Sequence, residues 1–337
     1  MRDPTDCSAP RGGQCWSVAR VSLLVAALCF SGLAQAQAPF PSKPIRLIVT
    51  SPSGGSNDIL NRTLGARLSE NFGQPVLIDN RPGASGFVAA EMVAKSPPDG
   101  YTLLAATEAT LVTNPLFFPK VPYDPERDFA PVTIAVEVSY VLLVHPSVPA
   151  KTVEELIALA RSKPGQLNYA SSGNGSSFHL GMELFKRMAG VDIVHVPFKG
   201  SALSVNAMLA GVVQIMLNGT PNGVPLAKSG KLRALAVAGA RRSPLAPDLP
   251  TIAESGLPDY EMSGWFGTVA PAGTPPPVIA RLNREYLRVL RSPELRERLE
   301  GYGFEVVGNT PEEFASRMRE DARRLARVIR ESGAKTE

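Results

Sequence analysis

Cysteine is scarce in this chain of 337 residues, and Cys7, Cys15 and Cys29 all lie near its beginning. They fall in a segment where Arg2, Arg11 and Arg20 precede the apolar run Val21 to Leu33 and the small residues Ala34-Gln35-Ala36. That is the pattern of a secretory signal peptide, expected to be cut after Ala36. Pro39 argues against a cut after Ala38. The mature protein is then expected to carry no thiol, which excludes disulfides, cysteine nucleophiles and thiolate metal sites together. Long apolar runs are equally scarce. The leader's run falls short of the roughly 20 residues a membrane span requires, and no other stretch reaches that length. No Arg-Arg pair marks the twin-arginine route, and Leu28 before Cys29 is too large for the usual lipoprotein cleavage site. Net charge is also small. The leader takes three of 35 basic and two of 31 acidic residues, leaving 32 against 29, or +3. This gives no electrostatic reason to expect a nucleic-acid partner. Three scattered histidines without a mature cysteine make a transition-metal site unexpected.

What the sequence does contain is organised around Val49-Thr50-Ser51-Pro52-Ser53-Gly54-Gly55-Ser56-Asn57-Asp58. Ile45, Leu47, Ile48 and Val49 suit a strand buried in a parallel sheet. Ile59, Leu60, Thr63, Leu64 and Leu68 have helical spacing, with Ser56 or Asn57 placed to cap the helix. Gly54 and Gly55 remove the Cβ atoms that would keep another molecule off the backbone. A helix start offers unpaired N–H groups and suits an anion. A tight strand-to-helix turn with no ligand explains the glycine pair equally well from this stretch alone. Neither the phosphate loop with its lysine nor the dinucleotide-binding spacing is present, and no cofactor is expected.

Further along, the spacing predicts a strand at Pro75 to Asp79, a helix over Phe87 to Lys95 and a strand at Tyr101 to Ala106, ending at Thr107 and Glu108. This alternation is that of a parallel α/β sheet, in which ligands sit beyond the carboxyl ends of the strands. A long β-rich run covers Val132 to Val144. Thr152 and Glu155 are spaced as a capping box for a helix to about Ser162. A second strand, small-residue loop and helix start follows at Gln166 to Ser177, centred on Ser171, Gly173, Gly175, Ser176 and Ser177. Two such loops facing one cleft make a better anion site than either alone. Ile193 to Val196 is a predicted strand ending at Phe198, Lys199 and Gly200, and Val212 to Leu217 one ending at Asn218. A helix is expected over Ser204 to Ala210, and strands at Leu232 to Ala238 and Gly264 to Ala270. Ser292 and Thr310 each stand before a proline as helix caps, and Thr310 with Glu313 forms a second capping box. The C-terminal Arg317, Arg319, Arg323, Arg324, Arg327 and Arg330 alternate with acids and predict a solvated helix face. The mature length of roughly 300 residues suggests two domains.

These motifs together resemble one family. Pro41-Ser42-Lys43-Pro44-Ile45, Gly54-Gly55-Ser56-Asn57-Asp58, Asn80-Arg81-Pro82-Gly83-Ala84, Pro98-Asp99-Gly100-Tyr101-Thr102-Leu103 and Tyr169 to Ser176 occur in its order. So do Val196-Pro197-Phe198-Lys199-Gly200, Pro250 to Gly256 and Ala270 to Pro275. The chain is similar throughout its mature length to the periplasmic substrate-binding proteins of tripartite tricarboxylate transporters, the TctC or Bug-type receptors. The resemblance implies a two-lobed periplasmic binding protein fold of type II-like α/β architecture, with mainly parallel sheets. It places one lobe over residues 37–139 and 263–337, the other over 140–262, with two crossovers between them. It implies a monomeric periplasmic receptor that closes on a small carboxylate and delivers it to a membrane transporter or sensor. The ligand set is then expected among Ser51, Ser53, Gly54, Gly55, Asp58, Thr107, Glu108, Ser171, Gly173, Gly175, Ser176, Ser177, Phe198, Lys199, Gly200 and Asn218. Three places depart from the family pattern: the family often has Pro-Phe-Pro-Pro before the glycine pair, its usual Asp is here Asn218, and Glu108 replaces a small or neutral residue. If Glu108 reaches the cleft it should disfavour a second ligand carboxylate and favour an ammonium or neutral group.

Several residues have plainer readings. Asp58 fits the first turn of a helix without any ligand. Lys199 suits a solvated loop, as does Arg81. His179 and His195 with Ser176 or Ser177 raise the alternative of a secreted serine esterase. The Gly-x-Ser-x-Gly elbow is missing, however, and structural histidines fit the apolar surroundings better.

Overall fold

The computed structural model of the chain describes residues 40–334. The expected signal peptide, its cleavage point and the three cysteines lie outside the described residues.

The first half runs β1 (Ile45–Val49), α1 (Ser56–Phe72), β2 (Val76–Asn80), α2 (Phe87–Ala94) and β3 (Thr102–Thr107). A π turn (Ala109–Thr113) and two single-turn helices then lead into β4 (Phe129–Val144). Next come α3 (Val153–Ser162), β5 (Asn168–Ser171), α4 (Ser177–Ala189), β6 (Val194–Pro197), α5 (Ser201–Leu209), β7 (Ile215–Gly219), α6 (Thr220–Lys228) and β8 (Arg233–Val237). The chain closes with β9 (Ser263–Pro271), α7 (Pro276–Leu290), α8 (Pro293–Gly301), β10 (Phe304–Val306) and α9 (Pro311–Ser332).

The apolar residues of β1 are buried because β1 lies between β2 and β3, parallel to both. Leu60, Leu64 and Leu68 cover one face of this sheet from α1. Gly65 lets the helix approach closely, since a Cβ there would stand 3.1 Å from Ile78 Cδ1. The second half repeats the plan, with β5 parallel to β6 and β7.

β4 joins the two halves. It is 16 residues long, and its partner changes along its length. Up to Ser139 it pairs antiparallel with β9, and from Tyr140 onward with β7 and β8. The sheet order is therefore β2-β1-β3-β9-β4-β7-β5-β6, with β8 and β10 also paired to β4. The chain passes between the halves a second time at Met262 and Ser263, where Met262 N–H donates to Ala238 O at 2.7 Å. This is the expected α/β class, with antiparallel strands at the junction of two mainly parallel sheets.

The C-terminal helix departs from a simple solvated face. Asp321 is buried and accepts from Trp265 Nε1 (2.8 Å), Arg317 Nε (2.9 Å) and Arg324 Nη2 (3.1 Å). Arg317 also reaches Glu137 of β4 at 2.6 Å. A buried carboxylate is stable only with such partners, so Arg317 and Arg324 are drawn inward. Arg327 keeps the expected exposed pairing, with Glu331.

The caps also differ in part. Thr310 and Glu313 form the full reciprocal box. Thr152 caps α3, but Glu155 turns to Lys151 N–H instead of completing the box. Ser292 makes no side-chain cap.

Candidate functional site

The loop after β1 ends in α1, whose N-cap is Gly55; neither Ser56 nor Asn57 caps it. Asn57 is buried and instead ties the helix to the sheet, donating to Ala105 O at 3.0 Å. Gly54 takes a left-handed φ of 81°, a conformation open to glycine at little cost. Its amide donates to Asp58 Oδ2 at 2.8 Å. The buried Asp58 carboxylate also accepts from Asn80 Nδ2 (2.8 Å) and Arg62 Nε (2.9 Å), with Ser53 Oγ at 3.4 Å. Burial alone would raise its pKa, but the hydrogen bonds from Arg62, Gly54 and Asn80 and the charge of Arg62 outweigh it, holding it below the ordinary carboxylate value. Asp58 therefore braces the loop from within.

The loop after β5 has the same plan. Gly175 has φ of 73°, Ser176 is the N-cap and accepts from His179 N–H, and α4 begins at Ser177. The Gly175 amide donates to His179 Nδ1 at 3.1 Å. At the end of β5, Ser171 Oγ lies 2.7 Å from His195 Nε2 and accepts from Gly173 N–H at 3.1 Å. Both predicted structural histidines are thus hydrogen-bonded inside the fold, while His145 sits by Ser147 at 2.7 Å. The hydroxyl of Ser176 is occupied as a helix cap.

These loops meet. Ser85 Oγ donates to Asn174 O at 3.0 Å. A Cβ on Gly200 would lie 2.9 Å from Pro52 Cγ, and one on Gly219 would lie 3.0 Å from Ser56 Oγ. Pro52 and Ser56 on one half thus meet Gly200 and Gly219 on the other, while Ser85 lies against Gly173 and Asn174 and the rings of Phe117 and Phe118 against Gly175. Phe198 N–H donates to Ser171 O, and Gly200 N–H to Ser172 O, so the third loop is tied to the second. Two buried side-chain atoms at this junction, Ser51 Oγ and Asn218 Nδ2, have no hydrogen-bond partner. Asn218 Oδ1 is already taken by the amide of Gly219.

Other predicted site residues are placed differently. Thr107 Oγ1 accepts from Thr110 N–H at 3.2 Å and organises the π turn. Glu108 is buried; its carboxylate accepts from Thr113 Oγ1 (2.7 Å) and from Ser177 Oγ (3.1 Å). Burial pushes it up to about 7 against the opposing hydrogen bonds. One oxygen of Glu108 is thus held within its own half by Thr113, and the other bonds Ser177 of the other half. Lys199 is exposed at the loop tip, and Arg81 pairs with Asp79 at 2.9 Å. Sequence reasoning did not single out Ser85, Pro52, Asn80 or Phe117 and Phe118, which pack on Gly175. Ser85 carries a local signal, because Pro82 to Gly86 is a turn-rich loop and Ser85 has φ of 54°.

The chain matches the model of the tripartite tricarboxylate transporter family receptor over residues 60–334. It is 37% identical to protein BugT of Bordetella pertussis over 297 residues, 88% of this chain and 91% of that protein. Among solved structures, Rhodopseudomonas palustris Rpa4515 with adipate superposes with a TM-score of 0.86 at 40% identity, covering 88% of this chain and 99% of that one. MatC of Rhodopseudomonas palustris with bound malate gives 0.82 at 34% identity, covering 86% and 100%. The periplasmic binding protein BugD also superposes, with a TM-score of 0.84 at 29% identity, covering 88% of this chain and 100% of that one. The family is one of receptors, which removes the esterase alternative. The chain belongs to the family of tripartite tricarboxylate transporter receptors.

Proposed function

We propose that this receptor captures a small carboxylate between two lobes, residues 37–139 with 263–337 and residues 140–262, and presents it to a membrane transporter. The reading rests on one observation above the others: the buried Ser51 Oγ and Asn218 Nδ2, without partners, on either side of the junction of two backbone-rich loops. Buried polar groups are nearly always paired, so two at a cleft suit a ligand oxygen. The adipate- and malate-bound relatives support a carboxylate as that ligand.

Closure follows from the chain path. Two segments, at Ser139–Tyr140 and Met262–Ser263, connect the sheets and serve as the hinge. Ser85 to Asn174, Glu108 to Ser177 and Pro52 against Gly200 are contacts of the closed form. Ligand that bonds both loops favours that form by its differential affinity. A micromolar ligand needs about 8 kcal/mol net, and charge-assisted hydrogen bonds contribute roughly 1.5–3 kcal/mol each. Ser51 Oγ, Asn218 Nδ2 and the first-turn amides of α1 and α4 can supply them, since the remaining loop donors are taken within the fold. The membrane component then reads the closed shape. The protein acts as a monomer in the periplasm after removal of its leader.

Isothermal titration calorimetry of the mature protein with a panel including adipate and malate tests the reading. At least one member should bind one-to-one near micromolar affinity, and Ser51→Ala and Asn218→Ala should each weaken it about tenfold. A broad panel without binding or thermal shift would remove the proposal.

A further inference from the structure

His179 and His195 lie ring on ring behind the second loop, with centroids 4.2 Å apart and planes 13° from parallel. Tyr169 stacks on His195 at 4.8 Å, and Phe117 meets His179 edge-on at 5.8 Å. Each imidazole makes a hydrogen bond to the loop. Because the Gly175 amide donates to Nδ1 of His179, that nitrogen carries no proton and the ring is the neutral Nε2–H tautomer. His195 Nε2 contacts Ser171 Oγ, which in turn holds the amide of Gly173. The loop backbone between Ser171 and Gly175 is therefore fixed at both ends by imidazole nitrogens.

The charged neighbours do not compensate a proton on this stack. Glu183 of α4 accepts from Tyr169 Oη at 2.6 Å and is paired with Lys186 at 2.7 Å, so acid and base offset each other. Glu108 engages Ser177, two residues before His179. Two imidazolium rings at this separation would repel strongly in a buried site.

We propose that His179 and His195 are positioning residues for the ligand loop: as a neutral stacked pair they hold the Ser171–Gly175 backbone in the shape it presents at the junction, and protonation of His179 releases Gly175. The inference rests on reading that loop as ligand-holding. Burial, with the nearby charge of Lys186, pushes His179 down to about 4. Burial, then the neighbouring His179, does the same to His195, to about 3, with Glu183 opposing and Lys186 adding to the shift.

Nuclear magnetic resonance of the unliganded mature protein, labelled with ¹³C and ¹⁵N, decides the matter without a ligand. The ring nitrogens of His179 should report the Nε2–H tautomer, both rings should titrate well below pH 6, and the Gly175 amide shift should follow the His179 titration. His179→Phe keeps a ring but loses the acceptor, and should speed hydrogen exchange at Gly175 at least tenfold. His179→Asn, whose Oδ1 can stand where Nδ1 stood, should restore protection and remove the pH response. An Nδ1–H tautomer, or a Gly175 amide indifferent to both pH and the Phe substitution, would overturn the proposal. Adipate titrations of the same proteins then address the loop's role separately. Weakening by about tenfold in His179→Phe with recovery in His179→Asn supports it. Full retention of adipate affinity in His179→Phe would show that the brace does not serve binding. If wild-type protein binds neither adipate nor malate while the amide behaves as expected, the carboxylate reading fails and the brace stands.

Discussion

In the loop after β1, the amide of Gly54 donates to a carboxylate four residues on; in the loop after β5, the amide of Gly175 donates to an imidazole four residues on. The glycines share a left-handed conformation, and in each helix the bracing side chain is the third residue after the N-cap. The backbone problem is the same in both: an amide in a tight turn has no helical partner, and a side chain from the first turn of the helix must reach back to it. The solutions differ in charge. Asp58 is supported by Arg62 and Asn80, whereas His179 is supported by the stacked face of His195 and the edge-on contact with Phe117. A charged brace needs polar partners, and a neutral one needs only packing.

Removing the charged brace should have the largest effect. Asp58→Ala takes from the Gly54 amide its acceptor and from Asn80 and Arg62 one of the two they each have, and should cost about 3 kcal/mol in urea unfolding. Loss below about 1 kcal/mol would mean that solvent replaces the carboxylate at that loop.

Acid should separate the two braces. The pKa of His179 is lowered in the folded state to about 4. Its stabilising neutrality is fully present above the unfolded value near 6.5 and is lost as pH falls from there toward 4. At pH 5 this amounts to about 2 kcal/mol, from about 1.4 kcal/mol per pH unit. Asp58 is also lowered, so its contribution remains above the ordinary carboxylate value and is lost only in stronger acid. Between pH 6.5 and 5 the amides of the second loop should therefore gain exchange faster than those of the first. Equal responses would show that the two loops open together.

The sequence made the strand, loop and helix of each half legible because each carries its own local signal: β-branched strand, glycine pair or small-residue run, then apolar spacing. Even the return strand at Gly264 to Ala270 was readable, since it is apolar and bounded by turns. The helices α6 and α7 and the short strand β10 were not singled out. Pro225 sits inside α6, and β10 is only three residues long, so local patterning is weak in both. At the site, the loops could be named but the roles within them could not. Asp58 and Glu108 looked like ligand groups because their partners, Asn80 and Ser177, are remote in sequence. The stack of His179 on His195 depends on β6 lying beside β5, which no local spacing reveals.

The smallest expected difference comes from the glycines themselves. A Cβ on Gly54 meets nothing within 4 Å, so Gly54→Ala bears only the left-handed backbone, roughly 1 kcal/mol. A Cβ on Gly175 would stand 2.7 Å from both Phe117 and Phe118, so the same substitution must also displace two rings. Those rings come from the other half of the molecule, and shifting them adds about 1 kcal/mol or more. Thermal unfolding of the two variants should rank Gly175→Ala below Gly54→Ala. Because the added strain exists only where the Phe117–Phe118 segment is pressed against the second loop, it should also fall on ligand affinity in Gly175→Ala and spare it in Gly54→Ala. The reverse ranking would mean that the aromatic pair moves freely and that contact across the junction at Gly175 does not hold the halves together.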